Sequence, residues 1–161
     1  MRIIIIWGVA SVDQTGKTIT SAERVATHLR LRGARFSRIR RGLVEGVVEA
    51  GRPLTPTELM AAVKLSAPVS TLYRNLAQLE AWGVLLRSTD RRGVARYELA
   101  EWLAGHHHHV TCVECGRSED VEVSAAGERS LRAAARAVAR RAGFAVVDHH
   151  LEVEGRCSRC R

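Results

Sequence analysis

The spacing of apolar residues changes along the chain, and the changes mark out its elements. From Thr20 the period is helical. Thr20-Ser-Ala-Glu23 has the form of a capping box, and Val25, Ala26 and Leu29 follow at intervals of three and four until Gly33. A second helix is predicted from about Ser37 to Ala50, with Ile39, Leu43 and Val47 on one face and Gly51 after it. In LTPTELMAAVK, Thr55 caps, Pro56 takes the first helical position and Glu58 closes a second box. A fourth helix is predicted from near Pro68 to Trp82, stopped by Gly83, with Val69, Leu72, Leu76 and Leu79 as its buried stripe. The period then shortens to two. VLLRSTDRRGVARYEL reads as two strands around an Asp-Arg-Arg-Gly turn. AEWLAG reads as a hinge. Beyond it come a strand at Val121 and Val123, a helix from about Glu128 to Ala142 ended by Gly143, and a strand over Ala145–Glu154.

Helices followed by a hairpin with arginines at its tip describe a winged helix-turn-helix, with the third and fourth helices as the helix-turn-helix pair. Burying the stripe of the fourth helix leaves Ser70, Thr71, Tyr73, Arg74 and Gln78 on the other side, where they suit base edges and phosphates of a major groove. Arg91 and Arg92 in the wing suit the DNA backbone or minor groove. His28 reads as an ordinary boundary residue. The segment 1–19 stands apart and reads as a flexible extension. SVDQTGKT follows a possible strand, Ile3–Ile6, and ends like a phosphate-binding loop, but Ser11 holds a position where that loop needs glycine.

Charge sharpens the division. Residues 21–97 hold 14 Lys/Arg against 6 Asp/Glu, whereas residues 98–161 hold 9 against 10. A basic first half suits a polyanion. No apolar run approaches the roughly 20 residues that span a membrane, and MRIIIIWGVAS is too short a block for a secretory leader. A cytoplasmic protein is expected.

The second half carries the chemistry. Cys112-Val-Glu-Cys115 and Cys157-Ser-Arg-Cys160 are two knuckles with the spacing of a tetrahedral zinc site, each giving two thiolates. The run His106–His109 stands three residues before the first knuckle. In an extended chain His106 and His108 share one face and His107 and His109 the other, so one strand can serve two metal sites. His149 falls on the apolar face of the last strand with Leu151 and Val153, and His150 on the face of Glu152 and Glu154. A domain this small lacks a large core, and zinc and dimerisation would both compensate.

Taken together, HHHHVTCVECG, HHLEVEGRCSRC and VSTLYRNLAQLEAWGV resemble the ferric uptake regulator family of metal-responsive repressors, over about residues 20–161. The resemblance implies an α+β chain: a winged-helix DNA-binding domain over 20–99, and a small α/β dimerisation domain over 100–161 with a structural Zn²⁺ on Cys112, Cys115, Cys157 and Cys160. It implies an interdomain regulatory site on Glu98, His107, His109 and Glu122, taking Fe²⁺, Mn²⁺ or Zn²⁺. A second site is implied on His106, His108 and His149, with Glu128 as the nearest acidic residue. Tyr73 and Arg74, beside Thr71, match DNA-contacting positions. The partners implied are a palindromic double-stranded operator and a second copy of the chain, with no membrane and no small-molecule substrate.

Pro53 stands where many members have a further histidine, and LAEWLAG is about two residues longer than usual. The alternatives are a peroxide sensor on the same fold, a zinc enzyme and a metal store. Glu rather than Asp at position 98 disfavours the first. The enzyme gives the basic helix-turn-helix no role, and loss of operator binding in chelator would argue against the store.

Overall fold

The computed structural model describes residues 11–12, 18–64, 66–89 and 92–161. The expected strand at Ile3–Ile6, most of SVDQTGKT, most of the expected extension and Arg91 lie outside them. The chain divides into two compact units, residues 1–105 and 106–161.

In the first unit, β1 (Ser11–Val12) pairs antiparallel with β2 (Thr18–Ile19). Thr18 therefore lies in a strand and does not open a helix as a phosphate loop requires. Helix α1 (Ser21–Arg30) starts at Thr20, whose hydroxyl accepts from the Glu23 N–H while its own N–H donates to the Glu23 carboxylate at 2.8 Å. Helix α2 (Arg38–Ala50) is capped by Ser37 and ends on Gly51 at φ +57°, the left-handed value that glycine adopts without strain. Helix α3 (Pro56–Ala62) carries the second complete capping box, Thr55 with Glu58, and α4 (Val69–Ala81) follows. Strands β3 (Leu85–Thr89) and β4 (Ala95–Leu99) form the antiparallel wing, and a bridge from Leu54 to Tyr97 ties β4 to the chain entering α3.

Leu29, Leu43, Leu59, Leu72, Leu76, Leu79 and Leu85 are buried in one core. Burying each contributes about 1.5–3 kcal/mol. The α4 stripe differs at two places. Val69 is 54% exposed, because it is the first residue of the helix and lies ahead of the core. Asn75 is buried on the core side, with its amide donating to the Thr71 carbonyl at 2.7 Å and its oxygen accepting from Arg40 Nε at 3.1 Å. AEWLAG is not an open hinge. It forms the short helix α5 (Glu101–Ala104) with Leu103 buried, and the division between units falls after Gly105.

In the second unit, β5 (His108–Cys112) is the central strand of a sheet ordered β6-β5-β7. Strand β6 (Ser118–Val121) runs antiparallel to it, and β7 (Glu152–Gly155) parallel. Helix α6 (Ala125–Arg141) is capped by Ser124 and buries none of its residues. The strand expected over Ala145–Glu154 shrinks to four residues. A ladder needs a partner, and β5 begins only at His108, so pairing with β7 starts at His109 and Glu152.

Candidate metal centres and nucleic-acid face

Parallel pairing of β5 with β7 sets Cys112 opposite Gly155, and this carries the second knuckle up to the first. The first knuckle turns through Gly116, at φ +70°, whose N–H donates to the Cys112 carbonyl at 2.8 Å. In the second, the Cys160 N–H donates to the Cys157 carbonyl at 2.9 Å. The four sulfurs lie within 4.8 Å of one another, and Cys115 Sγ is 3.8 Å from Cys157 Sγ. A tetrahedron with zinc–sulfur bonds of about 2.3 Å has edges of about 3.8 Å.

The thiols differ in acidity. Cys112 is pulled down to about 6, first by the Cys115 backbone N–H and then by that of Cys157, 3.3 Å from its sulfur. Cys160 is pushed up to about 12 by its hydrogen bond to Cys157 and by burial. Four neighbouring thiolates repel one another, and a divalent cation among them is what allows all four to ionise. The donor set fits zinc.

The alternation of the histidine run holds. On one face, Glu128 from the first turn of α6 meets His106 Nε2 at 3.4 Å, His108 Nε2 at 3.0 Å and His149 Nε2 at 3.1 Å. His108 is 1% exposed. Its hydrogen bond, then that of Arg132, then the nearby His106 and His149 hold the Glu128 carboxyl down at about 2. Three imidazoles and an ionised carboxylate converging in a half-buried space form a ligand set for a divalent cation. His149 reaches this set from the irregular segment before β7, and Glu128 needs no shift of register to join it.

On the opposite face, His107 Nε2 lies 3.9 Å and His109 Nε2 3.5 Å from the two oxygens of Asp120, a side chain 5% exposed. Asp120 is there because it is the cross-strand partner of His109. Glu122, the acidic residue expected here, is exposed and lies past Val121, where the β5–β6 ladder ends. Asp120 is not among the residues that the sequence alone points to. The register set by the tight turn after Cys112 was the signal for it. Glu98 is buried in β4 of the first unit, opposite Leu86.

The basic face lies in the first unit. Ser70, Tyr73 and Arg74 are exposed on α4, Thr71 is half-buried, and Arg92 is exposed in the wing. Gln78 behaves differently. Its side-chain oxygen accepts from Arg40 Nη2, and the same guanidinium donates to the Arg35 carbonyl and lies 4.7 Å from the centre of the Trp82 ring. Gln78 is thereby turned toward α2. His28 is likewise more than a boundary residue. It bonds the Trp82 carbonyl at 2.8 Å and stacks on Trp102.

The model of the ferric uptake regulator family matches residues 32–154. The ferric uptake regulation protein of Bacillus subtilis is 32% identical over 111 residues, 66% of this chain and 71% of that protein. The Legionella pneumophila protein is 36% identical over 93 residues, and the match spans 63% of its length and 58% of this chain. Among solved structures, the Helicobacter pylori ferric uptake regulator superposes with a TM-score of 0.67 at 22% identity, over 87% of this chain and 91% of that one. A zinc-bound manganese uptake regulator gives 0.63 at 28% identity, over 86% and 99%. With two sequence units, a winged helix and clustered cysteine and histidine ligands already in place, these matches show that the chain belongs to the ferric uptake regulator family.

Proposed function

We propose that the chain is a metal-dependent transcriptional repressor that binds a palindromic operator as a homodimer when its regulatory site is loaded. Its family comprises transcription regulators, not enzymes. The observation that carries the reading is the pair of opposed ligand clusters on one histidine strand, in a chain whose other unit presents a basic winged helix. One strand thus places two sets of donors on a single rigid frame, itself pinned by the cysteine knuckles.

In this reading Cys112, Cys115, Cys157 and Cys160 hold structural zinc. His106, His108, His149 and Glu128 hold a second ion. His107, His109 and Asp120 hold the sensed metal together with Glu98, which the family resemblance assigns to the site. A bound divalent ion supplies the positive charge that lets these donors sit together. Nitrogen and carboxylate donors suit Fe²⁺, Mn²⁺ or Zn²⁺. Two of the relatives' structures are described as zinc-bound and manganese-bound. Arg74 and Tyr73 read the major groove, and Arg91 and Arg92 hold the backbone.

Exposed apolar side chains support the homodimer. Val138 is 70%, Phe144 71% and Val147 99% exposed, and residues 144–150 have no ladder partner among the described residues. A second copy would cover both. Elemental analysis of protein purified without added metal, followed by titration with Fe²⁺, Mn²⁺ and Zn²⁺, tests the ligand assignments. Resident zinc at about one ion per chain and one or two further exchangeable sites is the expected result. Protein that folds fully without zinc and takes up no other metal would refute it.

A further inference from the structure

Helix α5 has only four residues and no side-chain cap. An isolated helix in water needs roughly 12–15 residues to be even marginally stable, so α5 exists because the rest of its unit holds it. Its inner side chain, Leu103, is 1% exposed in the core. Its outer side chain, Trp102, is clasped from two directions. The indole N–H donates to the Gly83 carbonyl at 2.7 Å, just after α4. The ring stacks on His28 of α1, centroids 4.6 Å apart and planes 22° apart. Arg24, one turn earlier on α1, donates to the carbonyls of Trp102 and, at 3.4 Å, of Leu103, and its guanidinium lies 5.6 Å from the indole centre. His28 is itself fixed by the Trp82 carbonyl and by Arg32 at 3.1 Å. Gly105 follows at φ +85° and ψ 170°, a conformation essentially confined to glycine.

We infer that Trp102, with Leu103, is a positioning residue that straps the connecting segment to the winged-helix unit, leaving Gly105 as the pivot through which metal occupancy is coupled to DNA affinity. This rests on the functional reading above. The strap explains why a connection containing EWLA does not act as a slack linker. Residues 101–104 are immobilised, so the free length is one glycine and not five residues. The advantage of holding two tethered modules together falls roughly as the −3/2 power of free linker length. A fivefold lengthening therefore lowers the coupling by about tenfold.

The test compares wild type, Trp102→Ala and Trp102→Ala/Leu103→Ala in Mn²⁺ and in chelator, using a duplex recovered by wild type from a random pool. The readout is the ratio of the two affinities. The double variant should lose about tenfold of that ratio and Trp102→Ala part of it, with affinity in chelator and metal content unchanged. An unchanged ratio in both variants, or an equal loss of affinity in chelator and metal, would overturn the strap. The single variant keeps the test alive if the double one fails to fold.

Hydrogen exchange reads the strap without DNA. The amides of Leu103, Ala104 and Gly105, bonded to the Ala100 and Glu101 carbonyls, should be protected in wild type and exposed in Trp102→Ala. Fast exchange in wild type overturns the strap. Wild type with a protected α5 but no metal-dependent DNA binding would sink the functional reading and the coupling role with it.

Discussion

Replacing Arg40 with alanine separates two readings of α4. By helical spacing alone Gln78 faces DNA, but in the structure it faces Arg40. That guanidinium bonds Asn75 Oδ1 at 3.1 Å, Gln78 and the Arg35 carbonyl, and lies over Trp82. Burial and the neighbouring Arg74 both lower its pKa, yet it stays charged far above any physiological pH.

Its removal strands the Asn75 oxygen in a residue only 6% exposed, at about 1–3 kcal/mol. Loss of the ring contact adds about 0.5–1 kcal/mol. The two together give about 1.5–4 kcal/mol, and the exposed bonds of the partly buried guanidinium add little. In a domain of this size each kcal/mol shifts the melting temperature by about 4–8 °C, so the first unit should melt about 6–30 °C lower. Gln78→Ala should cost about 1 kcal/mol. The double variant should fall short of the sum by about 1 kcal/mol. Base preference, read by operator selection, should not change at any position in Gln78→Ala. A cost under about 1 kcal/mol for Arg40→Ala, together with altered preference at one base for Gln78→Ala, would show that Gln78 reads DNA and that the bracket is incidental.

Arg74→Ala should lower operator affinity by about 1–3 kcal/mol if it pairs with a guanine, with relaxed choice at one base pair and unchanged metal content; fluorescence anisotropy on single-base variants checks it. His107→Ala and His109→Ala should abolish the metal response of DNA binding and leave structural zinc in place. His106→Ala and His108→Ala should mainly weaken stability or dimer affinity, and four silent variants in calorimetry and DNA titration would defeat the two-face account. Cys112→Ser should reduce zinc from about one ion per chain to almost none and abolish cooperative unfolding of residues 106–161, as read by elemental analysis and circular dichroism. In protein freed of exchangeable metal with its structural zinc retained, the Glu128 carboxyl titrates lower folded than unfolded. Its stabilising effect is therefore fully present above about pH 4.3 and is lost as pH falls through about 2. The stability gap between wild type and Glu128→Gln in acid titrations should close over that range.

Local rules served well where local chemistry decides. Thr20 and Thr55 start helices because a hydroxyl and a carboxylate three residues on satisfy the same turn, and both boxes form. The alternation of His106 to His109 needed only an extended backbone, and both ligand clusters follow from it. What failed depended on partners distant in sequence. Asp120 joins His107 and His109 through strand register, and Glu122 misses them because the ladder has ended. Asn75 and Gln78 both meet Arg40, 35 and 38 residues earlier, a partner that helical spacing does not show. AEWLAG looked like a hinge because four residues cannot make a stable helix alone. The contacts with His28, Arg24 and Gly83 that hold it come from earlier in the chain.

The switch proposed for this chain is a change in DNA affinity on loading of the histidine sites. It is tested most directly by measuring the affinity of the purified chain for its selected palindromic duplex, once in excess Mn²⁺ or Fe²⁺ and once after removal of exchangeable metal with structural zinc retained. Coupling free energies of this kind run to about 1–3 kcal/mol, so the metal-loaded chain should bind about 5–150-fold more tightly, and His107→Ala should bind equally under both conditions. Equal affinity of the wild-type chain with and without exchangeable metal would rule the switch out.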